Sequence, residues 1–302
     1  MHVVLVAGVN LDLSMFPSFA SVLFRKVDNN VWIKELGYGA GTVITVRNGR
    51  VICRGSLCSD EVVAQWGGMW FDPKIYLGKV PRKLRPLVEV LFSTYSGLRI
   101  IISRYDPDRL VIAVATFLSQ RTSYHVNVIK WIKTLFSGIK EYSAQHIAER
   151  IPKAGSSYQL LKLQEVIADL ERVVIQSKLK GWELRRELLN IKYVGPKIAD
   201  AFLLFTGEGT VFTPSDVHYS RFARRLSLIE GDEVLVPNKN ACLTSSAYCI
   251  ECPLRDKCLT GRSVSEFGEL SGYIQTIAYV HDKVYCSLRR CGECPLRRVC
   301  VL

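Results

Sequence analysis

The sequence predicts an α+β protein: a small antiparallel sheet first, a mainly α-helical body after it, and cysteine-rich loops at the end. Three observations carry this. Residues 42–54 are two β-branched runs joined by Asn48-Gly49, the strongest short hairpin signal. From Pro81 onward the apolar residues recur at helical spacing. Eight of the ten cysteines fall into two quartets after residue 240. The expected divisions are 1–80 for the β domain, 81–240 for the helical body, and 241–302 for the Cys-rich region packed on it.

Residues 2–9 are apolar but short, lack a basic leader and run into Asn10 and Asp12, so they read as a strand and not as a signal peptide. Val31-Trp32-Ile33-Lys34 is the next strand, and the sheet region is expected to close near Trp70-Phe71-Asp72-Pro73. Cys53 and Cys58 lie within it with no partner motif and read as free thiols. Asp106-Pro107-Asp108 is expected to cap a buried helix over residues 109–118, which ends in Ser119-Gln120-Arg121-Thr122-Ser123.

Composition narrows the partners. The 302 residues carry 40 Lys and Arg against 28 Asp and Glu, a net charge of +12, which favours a polyanion. No uninterrupted stretch of about 18 apolar residues occurs, so no membrane-spanning helix is expected. The expected setting is cytoplasmic and nucleoid-associated, with the chain acting as a monomer.

The segment from Leu189 to Asp200, with Val194-Gly195-Pro196-Lys197 at its centre, reads as a tight turn feeding a helix. Gly195 is expected to supply a positive φ and Pro196 suits an opening turn. Lys197 falls in the helix's first turn, where the dipole disfavours a cation and leaves more neutral amine to act as a nucleophile. In Thr213-Pro214-Ser215-Asp216-Val217-His218, Asp216 opens the next helix. Taken singly, a capping aspartate and a solvated lysine are the commoner readings. The order of turn, lysine, apolar helix, Pro-x-Asp-Val-His and amphipathic helix outweighs them.

Cys242, Cys249, Cys252 and Cys258 are spaced C-x6-C-x2-C-x5-C, and Cys286, Cys291, Cys294 and Cys300 are spaced C-x4-C-x2-C-x5-C. Four thiolates on a short loop suit a [4Fe-4S] cluster, one sulfur to each iron, and zinc is the alternative at either quartet.

These motifs resemble the helix-hairpin-helix DNA glycosylase superfamily of base-excision repair, and the resemblance covers most of the chain. The first quartet has the spacing of the endonuclease III branch. A sheet ahead of the helical body resembles the 8-oxoguanine glycosylase branch, and by rough alignment Ser21 falls where that branch senses the oxidised purine with a glycine. The resemblance implies Lys197 as Schiff-base nucleophile and Asp216 as the assisting carboxylate. It implies DNA contacts from Gln120, Arg121, Lys192, Val194, Gly195 and His218, with Gln120 as the wedge that refills the duplex. The chain departs from the family hairpin at Tyr193, which stands where the first glycine is usual. The expected function is therefore a bifunctional DNA glycosylase and AP lyase acting on double-stranded DNA with a damaged base, carrying one [4Fe-4S] cluster at the first quartet and a second at the other. A monofunctional glycosylase and a non-catalytic nucleic-acid binder stay open, and the damaged base is left unassigned.

Overall fold

The computed structural model describes residues 2–5, 8–229 and 234–301. Five strands form one antiparallel sheet in the order β1-β5-β4-β3-β2: β1 His2–Leu5, β2 Phe24–Asp28, β3 Val31–Lys34, β4 Val43–Arg47 and β5 Arg50–Arg54. Val6 and Ala7, included in the expected first strand, lie outside the described residues. The β4–β5 hairpin turns where expected: Asn48 and Gly49 take φ of 49° and 69°, so Val46 faces Val51 and Ile44 faces Cys53. Both central positions of such a turn need the left-handed region, which Asn and Gly adopt at least cost.

Two expectations for this region are corrected. The sheet ends at Arg54, and the chain from there to residue 80 is helical: α2 Asp60–Trp66, capped by Ser59, and a 3₁₀ segment Pro73–Lys79. Cys53 and Cys58 are joined in a disulfide. After β5 the chain turns at Gly55 and brings the two Cα atoms to 5.7 Å, inside the span a disulfide requires.

The remaining helices are α1 Leu11–Met15, α3 Arg85–Thr94, α4 Asp106–Leu118, α5 Ile129–Phe136, α6 Ala144–Ala154, α7 Tyr158–Glu171, α8 Gly181–Asn190, α9 Pro196–Phe205, α10 Val217–Arg225, α11 Lys239–Thr244, α12 Leu259–Phe267 and α13 Ser271–His281. The buried apolar residues form one cluster that runs from Val9 to Leu296, so sheet and helices share a core. At its centre lie α4 and α13, each apolar on nearly every face, as a helix enclosed by others must be. Asp108 does not cap α4 as expected. It is buried in the first turn, where its Oδ2 meets Lys34 Nζ of β3 at 2.6 Å and its Oδ1 accepts from the Tyr38 amide. This ion pair fastens the sheet to the helical body.

Candidate active site

Helices α8 and α9 form the hairpin pair. Arg185 of α8 is buried and grips Asp200 of α9 through Nε and Nη2 at 2.5 and 3.1 Å, while its Nη1 donates to the Ala247 carbonyl at 2.6 Å. The hairpin between them is plugged by buried Ile191 and Val194, and the Val194 amide donates to the Ile191 carbonyl. The left-handed residue is not Gly195, whose φ is −106°, but Tyr193 at +64°. A tyrosine accepts that geometry because its ring is held: Lys162 and Lys192 amines lie 4.7 and 4.6 Å from its centroid, and its hydroxyl donates to Glu165 at 3.1 Å. Glycine at 193 will therefore give a more stable protein than alanine, by about 1 kcal/mol in urea denaturation, since both lose the ring and only alanine keeps the backbone strain.

Past the hairpin, Lys197 stands in the first turn of α9 and is partly buried, with its Nζ donating to Ser119 Oγ at 3.1 Å and 5.6 Å from the Phe19 ring. Its pKa is lowered, first by desolvation and also by the neighbouring Lys283 cation, against the pull of Asp216. Burial thus leads the causes. Asp216 caps α10, accepting from the His218 and Tyr219 amides at 3.0 Å each through Oδ1. Its Oδ2 bonds to no described residue. The N-cap contacts occupy one carboxylate oxygen of a side chain that also lines a cavity.

Lys197, Asp216 and His218 come together on the wall of one cavity of about 100 Å³. His218 is oriented from behind, its Nδ1 at 2.5 Å from Asp282 Oδ2. Burial alone would raise the Asp282 carboxyl, yet hydrogen bonds from His218, Ser287 and Arg221 carry it down to about 2, so it stays a carboxylate. Sequence reasoning missed Asp282 behind the wall and, on the wall itself, Phe19, Tyr124, Gln275, Tyr279 and Lys283 among others. A signal existed for two of these, because Gln275 and Tyr279 are four apart and so share one face of α13. The Gln275 amide bonds to no described residue, and Tyr279 meets the His218 ring edge-on at 5.4 Å. Ser21 is buried beneath the wall, with its Oγ 3.1 Å from the Tyr124 hydroxyl, and it is Phe19 that reaches the cavity.

The other expected DNA-contacting residues lie outside the cavity. Gln120 folds its amide onto the Phe117 carbonyl at 2.9 Å, and its own carbonyl is held by Tyr158 and Gln159. Arg121 follows, exposed and left-handed at φ 50°. Lys192 is exposed and paired with Glu165 at 2.7 Å. The amides of Gly195 and Lys197 bond to no described residue, whereas Val194 is fully enclosed.

Each cysteine quartet gathers in one place. Cys242, Cys249 and Cys258 lie within electrostatic reach of one another, with Cys252 beside Cys258 and the Arg185 guanidinium close by. Cys286, Cys291, Cys294 and Cys300 line a cavity of about 330 Å³ with Arg225 and His281. Among the described residues no three His, Cys, Asp or Glu side chains are drawn tightly enough to chelate one ion.

No family model matches the sequence. No curated protein matches it either. Solved structures do. The structure of MBOgg1 with a low-affinity DNA ligand superposes with a TM-score of 0.67 at 15% identity, over 93% of this chain and 95% of that one. The Clostridium acetobutylicum 8-oxoguanine glycosylase/lyase, bound to double-stranded DNA with cytosine opposite 8-oxoguanine, gives 0.62 at 14% identity over 90% of each chain. The 3-methyladenine DNA glycosylase of Archaeoglobus fulgidus gives 0.59 at 16% identity, over 94% of this chain and 99% of that one. The protein shares the fold of these glycosylase structures.

Proposed function

We propose that this chain is a DNA glycosylase that removes a damaged base from double-stranded DNA and then cuts the strand through a lysine imine. The observation that carries the reading is the shared cavity of Lys197, Asp216 and His218 at the end of a helix-hairpin-helix pair. A base inside a duplex is out of reach, so the nucleotide must be extruded at a cost of a few kcal/mol, offset by backbone contacts. In the cavity the Lys197 amine attacks C1′ as the bond to the base breaks, and the C1′–O4′ bond then opens, its electron pair leaving on a protonated O4′, to give the imine. Asp216 stabilises the positive charge that develops on the sugar. Loss of a C2′ proton from the resulting imine then expels the 3′ phosphate. Burial lowers the Lys197 pKa and so favours the unprotonated, nucleophilic amine. Phe19 and Tyr279 offer aromatic faces to the base, and the Gln275 amide offers both a donor and an acceptor to its edge. The test is a panel of duplexes, each with one lesion: oxidised purine, oxidised pyrimidine, alkylated purine or uracil. Release of one base with a borohydride-trapped adduct is the expected result, and a protein that binds every duplex and releases nothing overturns the reading.

Both cysteine quartets suit [4Fe-4S] clusters, which would be held by Cys242, Cys249, Cys252 and Cys258 and by Cys286, Cys291, Cys294 and Cys300. The support is the spacing, the convergence of each quartet and the cationic Arg185 and Arg225 beside them. Cleavage of a glycosidic bond needs no electron acceptor, so a cluster here serves architecture. Protein purified without oxygen is expected to contain about eight iron and eight sulfide per chain. Cys294→Ser should remove about half of the iron. A content of about four iron and one zinc would leave only one quartet as a cluster site.

A further inference from the structure

We propose that Lys283 binds a phosphate flanking the extruded nucleotide. The proposal rests on the glycosylase reading and adds a residue to it. Lys283 is exposed, opens onto the catalytic cavity beside Lys197, Asp216, His218 and Tyr279, and makes no hydrogen bond or ion pair with a described residue. It differs in this from the other basic groups of the wall. Lys197 is engaged with Ser119 and His218 with Asp282. The Lys283 amine stands 5.8 Å from the Tyr279 ring, and its charge reaches both Lys197 and His125. An unengaged cation at the mouth of a cavity built for a nucleotide has one abundant partner there, the backbone phosphate.

Its backbone is fixed while its side chain is free. The preceding residue, buried Asp282, is held by Arg221, His218 and Ser287. Lys283 therefore presents its amine from a rigid base and loses entropy only in its own rotamers on binding. A phosphate on the 3′ side would also be the leaving group. As C2′ gives up its proton, that electron pair forms the C2′–C3′ double bond, the C3′–O bond breaks, and its pair stays on the phosphate oxygen, where an amine cation stabilises it. A phosphate on the 5′ side would be gripped before any bond breaks.

Lys283→Ala, Lys283→Arg and wild type should be compared in duplex binding across salt concentration, in single-turnover base release and strand cleavage, and in borohydride trapping against pH. Lys283→Ala is expected to reduce the slope of log affinity against log salt by about one, and Lys283→Arg to restore it. On a 3′ phosphate, strand cleavage should also slow by roughly tenfold while base release holds. On a 5′ phosphate, affinity and base release should fall together. An unchanged salt slope overturns the proposal. So does a change confined to the trapping profile, with its acid limb moved to higher pH, because Lys283 would then act only by repelling a proton from Lys197. If wild type releases the base and traps nothing, the imine is lost while the salt slope still judges the phosphate contact.

Discussion

Lys197→Ala will abolish both borohydride trapping and strand cleavage, and Asp216→Asn will keep duplex binding while lowering base release by about two to three orders of magnitude. On the proposed mechanism the two residues do different work and so fail differently. Without the Lys197 amine no imine exists to be reduced or to drive elimination. Without the Asp216 charge the amine is still present, but the positive sugar of the transition state is not stabilised. Asparagine is the informative replacement, since it caps a helix about as well as aspartate and so preserves the hydrogen bonds to the His218 and Tyr219 amides. Alanine would remove the cap too and confuse stability with chemistry. Peptide mapping of the adduct is the control against Lys192, which is exposed on the hairpin. Base release by wild type with no adduct would remove Lys197 from the mechanism, and a fully active Asp216→Asn would remove Asp216 from it.

Lys34→Met will destabilise the protein by about 3–5 kcal/mol in urea denaturation, the usual cost of stripping one partner from a buried ion pair. Lys34 and Asp108 side chains are both 0% exposed, with 2.6 Å between Nζ and Oδ2. The lysine also sits 4.8 Å from the Trp66 ring and 5.1 Å from that of Phe24. Methionine fills much of the same space, so the loss reports the uncompensated carboxylate more than a cavity. Removing Asp108 as well, as Leu, should recover only part, because Ser103 and the Tyr38 amide then lose their acceptor. A loss below about 1 kcal/mol would mean that the pair does not hold the sheet to α4.

Much of the fold was legible in local signals. Asn48-Gly49 dictates its hairpin, and the apolar run of α4 and the Gly-Pro-Lys start of α9 place themselves by periodicity and capping chemistry. Strand β2 was not legible. Phe24 is its one buried residue and the next four are exposed, so the alternation that reveals a half-buried strand is missing. Tyr193 escaped for another reason: a ring clasped by two lysines stabilises a backbone conformation that its residue type disfavours, and that clasp is tertiary. Lys197 and Asp216 were legible because motif and local structure coincide. Phe19, Gln275 and Lys283 were not, since three segments far apart in sequence meet only in the folded cavity. Asp108 looked like a helix cap and became an ion-pair partner because Lys34, far earlier in the chain, folds onto it.

Helix α13 is central in space and late in sequence. Its Tyr273 hydroxyl donates to the Leu98 carbonyl, its His281 meets Tyr95 at 2.7 Å, and it packs on α10. A chain emerging from the ribosome can form the β4–β5 hairpin and the α8–α9 pair early, since their contacts are local. It cannot close the core or complete the cavity until α13 is free to dock. Until α13 follows them, the elements made before it thus leave an open groove exposed to chaperones and proteases. A truncation before Ser271 should lack the Gln275 and Tyr279 wall and also leave the apolar faces of α10 and α3 bare, so its failure would appear as aggregation before it appeared as lost activity.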